Sequence, residues 1–171
     1  MSNNLLYSEK VSSTRTGALF LALASFFFWL FIRRMKKGTQ GHLTTAFFCL
    51  FLFFLFYVAN YKTLNIHLTS ESLRLKFGIF TWNAPIDNVA DCQLDELPTL
   101  MKFGGAGIHF MRIRKRYRAS FNFLEYPRVV IAFKKKVGPV QDISFSTRHP
   151  GKVLDVIQKA VAARQKPKTA T

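Results

Sequence analysis

Two stretches of this chain carry no charge at all: residues 18–32 (ALFLALASFFFWLFI) and 43–59 (LTTAFFCLFLFFLFYVA). A helix on a soluble protein shows one apolar stripe, whereas these runs are apolar all round. Between them sit Arg33, Arg34, Lys36 and Lys37, with Gly38 and Gly41 to turn the chain. The pattern predicts a helical hairpin over 17–61 that crosses a membrane twice, because a lipid solvent requires each backbone group to be satisfied within its own segment. A span needs roughly 20 residues to cross a hydrocarbon core of about 30 Å. Residues 17–32 fall short of that, and extension back to Thr14 with snorkelling of Arg33 and Arg34 closes the gap. Trp29, Tyr57 and Tyr61, with Arg33 and Arg34, are the expected interface anchors. A soluble hairpin would need a protein surface able to cover so many Phe side chains, and the remaining chain offers none. A cleaved signal peptide fits poorly, since a second apolar run follows at once and no small-residue cleavage site stands out.

Charge then divides the chain. Residues 62–171 hold 19 of the 25 Lys and Arg and 8 of the 9 acidic residues, a net +11 out of +16 for the whole. A basic domain tethered beside a bilayer is drawn to anionic headgroups, at about 1 kcal/mol per basic residue near the surface. Nucleic acid is the other usual partner of such charge, but the tether and the lack of a base-reading motif argue against it. The hairpin puts both termini on one side. Four basic residues in its loop oppose five on the other flank (Lys10, Arg15, Lys62, Arg74 and Lys76), so the positive-inside rule does not settle orientation. Cys49 falls in the second span and Cys92 beyond it, so no disulfide framework is indicated, which favours a reducing compartment.

Along the chain, residues 1–16 read as a polar arm lying on the membrane. After Tyr61 the pattern switches to alternation. Leu64, Ile66 and Leu68, then Leu73, Leu75 and Phe77, predict two strands joined by a turn at Ser70-Glu71 and ended by Gly78. Residues 80–82 lead to Pro85. Strands are expected from Ile86 or Val89 to Leu94, over 108–113, 119–124, 128–133 and 140–146, with a loop at 97–102, a glycine-rich bend at 103–107 and a basic turn from Lys134 to Pro139. Val153, Leu154, Ile157, Ala160 and Val161 form one apolar face of a last helix, with Ser146 or Thr147 as its cap and Pro150 in its first turn. Residues 164–171 read as a disordered basic tail. The fold class expected is therefore α+β: a transmembrane hairpin, then about seven antiparallel strands over 62–163 in one bent sheet, closed by the helix.

The stretch LTSESLRLKFG (68–78), Pro85-Ile86 with Val89, the run FGGAGI (103–108), and ISFSTRHP (143–150) entering the helix together resemble the bacterial pleckstrin-homology domains that follow a pair of membrane spans. The likeness covers about residues 5–163. It implies a membrane-anchored interaction module; together with the basic domain and the absence of disulfides, it favours a domain in the cytoplasm, at the inner membrane. It does not imply an inositol-phosphate site, because the turn that would carry it, residues 69–72, is uncharged or acidic. Only Arg74 and Lys76 on the next strand offer a substitute.

The expected binding surface is anionic-facing: Arg112, Arg114, Lys115, Arg116 and Arg118 at one turn and Lys134, Lys135 and Lys136 at another. Its partners would be bilayer headgroups or a neighbouring membrane protein; solvated hairpin tips are the plain alternative. No cofactor is expected. The glycine run lacks the Gly-Lys-Ser/Thr ending of a phosphate loop. His42, His67, His109 and His149 lack metal spacing. Asp87 with Asp91, and Asp95 with Glu96, read as solvated turns, and no hydrolase motif occurs, so a non-catalytic role is expected. The Phe-rich spans serve either lipid or another membrane protein, and neither carries a Gly-x-x-x-Gly packing motif.

Overall fold

The computed structural model describes residues 4–39, 41–95, 107–113 and 115–165. Arg114, Glu96, the loop at 97–102, the glycines of 103–106 and the tail from 166 lie outside the described residues.

Strand β1 (Leu5–Ser12) runs into helix α1 (Thr14–Lys36), which returns as α2 (His42–Asn60) and passes straight into β2 (Thr63–Thr69). β1 and β2 pair antiparallel from Leu5↔Thr69 to Ser12↔Thr63. The two helices are thus the connection of a β-hairpin, and both their ends are held by adjacent strands of one sheet. The expected surface arm is instead an edge strand. Its alternation is masked because Glu9 points inward: Glu9 accepts from Tyr7 Oη (2.8 Å), Thr147 Oγ1 (2.5 Å) and the Arg148 amide (2.9 Å).

β3 (Ser72–Phe77) and β4 (Phe80–Pro85) complete a four-stranded sheet in the order β1-β2-β3-β4. β4 escaped the sequence reading because it ends in proline, which cannot donate to a ladder and is confined to edges and strand ends. Both conditions hold for Pro85, which pairs only with Ser72. A short 3-10 turn at Ile86–Asn88 leads to the second sheet: β5 (Val89–Leu94), β6 (Gly107–Ile113), β7 (Arg116–Asn122), β8 (Arg128–Val137) and β9 (Val140–Ser146), ordered β5-β8-β9-β7-β6. The expectation of about seven antiparallel strands in one sheet is corrected to nine among the described residues, in two sheets. One pair, β7 with β9, is parallel, because β9 inserts between β7 and β8. Lys134, Lys135 and Lys136 belong to β8; the turn is confined to Gly138-Pro139.

The core lies between the sheets. Leu64, Ile66, Leu68, Leu73, Leu75 and Phe77 face Phe121, Phe123, Ile131, Ile143 and Phe145, all at most 2 % exposed. At roughly 1.5–3 kcal/mol per fully buried large apolar side chain, this layer dominates the domain's stability. Helix α3 (Pro150–Gln165) adds Val153, Ile157 and Ala160, the face its spacing predicts. It extends two residues into the stretch expected to be tail. Neither expected cap caps it: Ser146 Oγ accepts from the Phe123 amide (2.9 Å), and Thr147 Oγ1 accepts from the His149 amide (3.1 Å).

The hairpin does the opposite of a soluble core element. α2 buries only Thr44, and α1 only Thr16, Phe20 and Ala24. At about 1.5 Å per residue, 23 and 19 residues give about 34 and 28 Å, and both helices are long and apolar enough to span a membrane. The shortfall inferred for the first run disappears because α1 starts at Thr14, capped by Ser13 Oγ on the Thr16 amide (2.9 Å). Many Phe rings pack between the two helices: Phe20 on Phe54, Phe27 on Phe47 and Phe54, Phe28 on Phe51, Phe31 on Phe48. Aromatic interlocking replaces the small-residue contact that such helices otherwise use.

Candidate functional site

The geometry of any surface site follows from how the hairpin is seated. At α1's start the Arg15 amide donates to Glu125 Oε1 (2.6 Å), a carboxylate suited to a helix N-terminus. The Leu124 amide donates to Thr16 Oγ1 (3.3 Å), and Tyr126 Oη to the Ser12 carbonyl (3.0 Å). At α2's end Tyr61, 4 % exposed, packs on Phe77 and Phe80. Gly78 (φ +61°) lies so close to the Asn60 carbonyl that a Cβ would collide with it. Gly107, where β6 begins, lies against the Tyr57 and Phe20 rings. The β-domain therefore sits directly on the hairpin, with no linker.

This seating separates the expected anchors. Trp29 carries the Arg33 guanidinium over its ring at 5.3 Å. Arg34 Nε donates to Thr44 Oγ1 (3.2 Å), which in turn donates to the Thr39 carbonyl (2.8 Å), so Arg34 ties the inter-helix turn. Tyr57 packs on Phe20, Phe53 and Tyr61. Tyr57 and Tyr61 are joints between hairpin and domain.

The expected basic surface is divided more sharply. Arg116 Nε donates to Asp142 Oδ1 (2.8 Å), and its Nη2 lies 2.7 Å from the same oxygen. The bond to Asp142 strengthens the charged form of Arg116. Arg118, with only 10 % of its side chain exposed, bonds Asp95 at 3.3 Å and lies 3.9 Å from Asp142 Oδ2. Burial pushes the Arg128 guanidinium pKa down against the opposing charge of Asp95. Arg116 and Arg118 thus neutralise buried carboxylates; Arg118 is withdrawn from the surface, whereas Arg116 stays half-exposed with its guanidinium committed to Asp142. This network borders a small buried polar layer in which Ser144 Oγ donates to Ser120 Oγ (2.9 Å). Lys134 Nζ donates to the Asp87 carbonyl (2.8 Å). Arg112, Lys115, Lys135 and Lys136 remain exposed.

These four also lie at the strand ends remote from the hairpin. Arg112 is five residues beyond Gly107, about 17 Å along β6, and Lys135 is seven beyond Arg128, about 23 Å along β8.

A second basic surface entered the sequence reading only in weighing orientation and in Arg74 and Lys76 as a substitute for an inositol-phosphate site. The outer face of the first sheet carries two cross-strand rows: Lys10, Asn65, Lys76 and Thr81, then Ser8, His67, Arg74 and Asn83. Ser8 Oγ and His67 Nδ1 share a hydrogen bond (3.2 Å). Of these, His67, Arg74, Lys76, Thr81 and Asn83 line an open groove of about 770 Å³. The period-two pattern of β2 and β3 indicated which residues face outward; only the pairing of β1 brings Lys10 beside them.

Among the described residues no group of three His, Cys, Asp or Glu gathers as a metal site. Burial raises the Cys92 thiol pKa, which leaves it a poor nucleophile. The chain matches no known protein family, no curated protein and no solved structure.

Proposed function

We propose that this protein is a non-catalytic, membrane-anchored interaction module whose β-domain, kindred to bacterial pleckstrin-homology domains, docks a neighbouring membrane protein at the cytoplasmic face of the inner membrane. The observation that carries the reading is the clamp: Ser12 and Thr63 are paired neighbours on one sheet and flank two helices fit to span a bilayer. A module so held presents a fixed surface at a fixed height. The kinship is supported by the antiparallel first sheet and by the helix that follows the last strand; the parallel pairing of β7 and β9 departs from it.

Arg112, Lys115, Lys135 and Lys136 belong to the end of the domain away from the hairpin, which favours an acidic protein surface over headgroups for that end. Amine-reactive cross-linking of the full chain in its native membranes tests this. A discrete adduct is expected, weakened by salt and lost when those four residues become Ser. An adduct indifferent to both changes, or none, overturns the docking role. Release of the chain by alkaline carbonate overturns the anchoring.

A further inference from the structure

The end of the domain nearest the hairpin joins an exposed apolar tip to the basic rows on the outer face of the first sheet. The β3–β4 turn presents Ile79, at 65 % the most exposed large apolar side chain among the described residues, followed by Phe80 at 48 %. Water is a poor solvent for such a pair, and a bare apolar tip marks a surface meant to be covered. What lies beside it identifies the cover: Gly78 abuts the last residue of α2, and Phe80 stacks on Tyr61 with ring centroids 6.2 Å apart. The tip is level with the helix end, where a spanning helix meets the headgroup layer.

Immediately above the tip the outer sheet face is basic. Lys76 lies two residues before Gly78 and Lys10 two residues before Ser12, each about 7 Å along its strand. Lys62 follows Tyr61 directly, and Arg74 is the next outward residue on β3 after Lys76. All four are exposed, and no carboxylate among the described residues pairs with any of them. The two rows hold no acidic residue. Glu9 points to the other side of β1, and Glu71 is at the far turn with Arg164 at 3.7 Å. Four unpaired cations beside an apolar tip complement an anionic headgroup above an acyl chain.

We infer that Lys10, Lys62, Arg74 and Lys76, above the Ile79-Phe80 tip, form a binding face for anionic phospholipid headgroups of the bilayer the hairpin crosses. The inference rests on the reading that α1 and α2 span that bilayer. The phosphate oxygens accept from the three Lys Nζ groups and the Arg74 guanidinium, with Thr81 and Asn83 as neutral partners along the groove and Asn65 between Lys10 and Lys76. The lipid fixes the tilt of the domain, and so the direction in which the remote basic end points.

The test uses the full chain in nanodiscs of phosphatidylcholine with a minority of phosphatidylglycerol, with a photoactivatable group on the headgroup of one lipid or the other. Each basic residue near an anionic surface is worth roughly fivefold. Label from phosphatidylglycerol on peptides of residues 4–15 and 60–84 is therefore expected to exceed that from phosphatidylcholine by about tenfold or more. Replacing Lys10, Lys62, Arg74 and Lys76 by Ser brings the ratio to parity, replacing the three lysines by Arg keeps it, and Ser at Arg112, Lys115, Lys135 and Lys136 leaves it unchanged. Equal labelling of the parent by both lipids, or a ratio untouched by the first variant, overturns the inference. Should the Ser variant fold poorly, salt titration of the parent serves: the ratio falls toward parity, and a ratio flat with salt refutes the face. A chain that fails to stay in the discs refutes the spans instead.

Discussion

Replacing Gly78 by Ala separates two costs that usually arrive together. The backbone at Gly78 is left-handed (φ +61°), and so is that at Gly138 (φ +59°). An L-residue in this region costs about 1–2 kcal/mol at either position. The surroundings differ. A Cβ at Gly138 meets only the edge of the Trp82 ring at 3.7 Å, ordinary contact, whereas a Cβ at Gly78 collides with the Asn60 carbonyl. That carbonyl belongs to the last residue of α2 and is backbone, so the helix end must move relative to β3, at a further cost of about 1–3 kcal/mol. Gly138→Ala should thus lose about 1–2 kcal/mol and Gly78→Ala about 2–5 kcal/mol. At about 2–4 °C per kcal/mol for a chain of this size, the first lowers Tm by a few degrees and the second by about twice as much or more. Thermal unfolding in one mild detergent, followed by near-ultraviolet circular dichroism, reads both. The difference between the variants isolates the joint. Equal losses would show that α2 does not press on the β3–β4 turn, and the fixed pose of the domain on its hairpin would fall with that contact.

Other expectations follow from the same joint and the buried charges. Glu9→Gln removes a carboxylate that accepts three hydrogen bonds and should cost about 1.5–3 kcal/mol, read by urea unfolding; an unchanged midpoint would contradict the inward placement of Glu9. Burial first, and then its bond to Glu9, push the Tyr7 phenol pKa up to about 12 from 10. A raised phenol pKa favours the neutral form in the fold, so this stabilisation is complete below pH 10 and is lost as pH rises from 10 to 12, on the order of 2 kcal/mol. Tyr7→Phe should flatten that part of the stability–pH curve. Asp142→Ala leaves Arg118 buried beside one carboxylate and should cost about 3 kcal/mol or more, whereas Lys135→Ser on the exposed strand should stay within about 0.5 kcal/mol; similar losses for both would refute the division of the basic residues into buried and displayed.

The sequence by itself determined the hairpin, because two runs without charge and rich in Phe read as long apolar helices with no distant partner needed to declare them. It determined β2, β3 and the face of α3 for a related reason: the signal is the local period of burial, two in a strand and 3.6 in a helix. Tertiary structure decided everything that rests on pairing across distance. β1 is a strand because β2, more than fifty residues later, offers it an edge, and Glu9 is tolerated inside because Thr147 and Arg148 reach it from the other end of the chain. The same holds for charge. A run of arginines looks uniformly available in one dimension. Asp95 and Asp142 take Arg118 out of solvent and tie down the half-exposed Arg116, while the pairing of β1 with β2 carries Lys10 into one cross-strand row with Lys76. Net charge is a property of composition, but the surface that displays it is set by which strands pair, and pairing is settled only when the whole core closes.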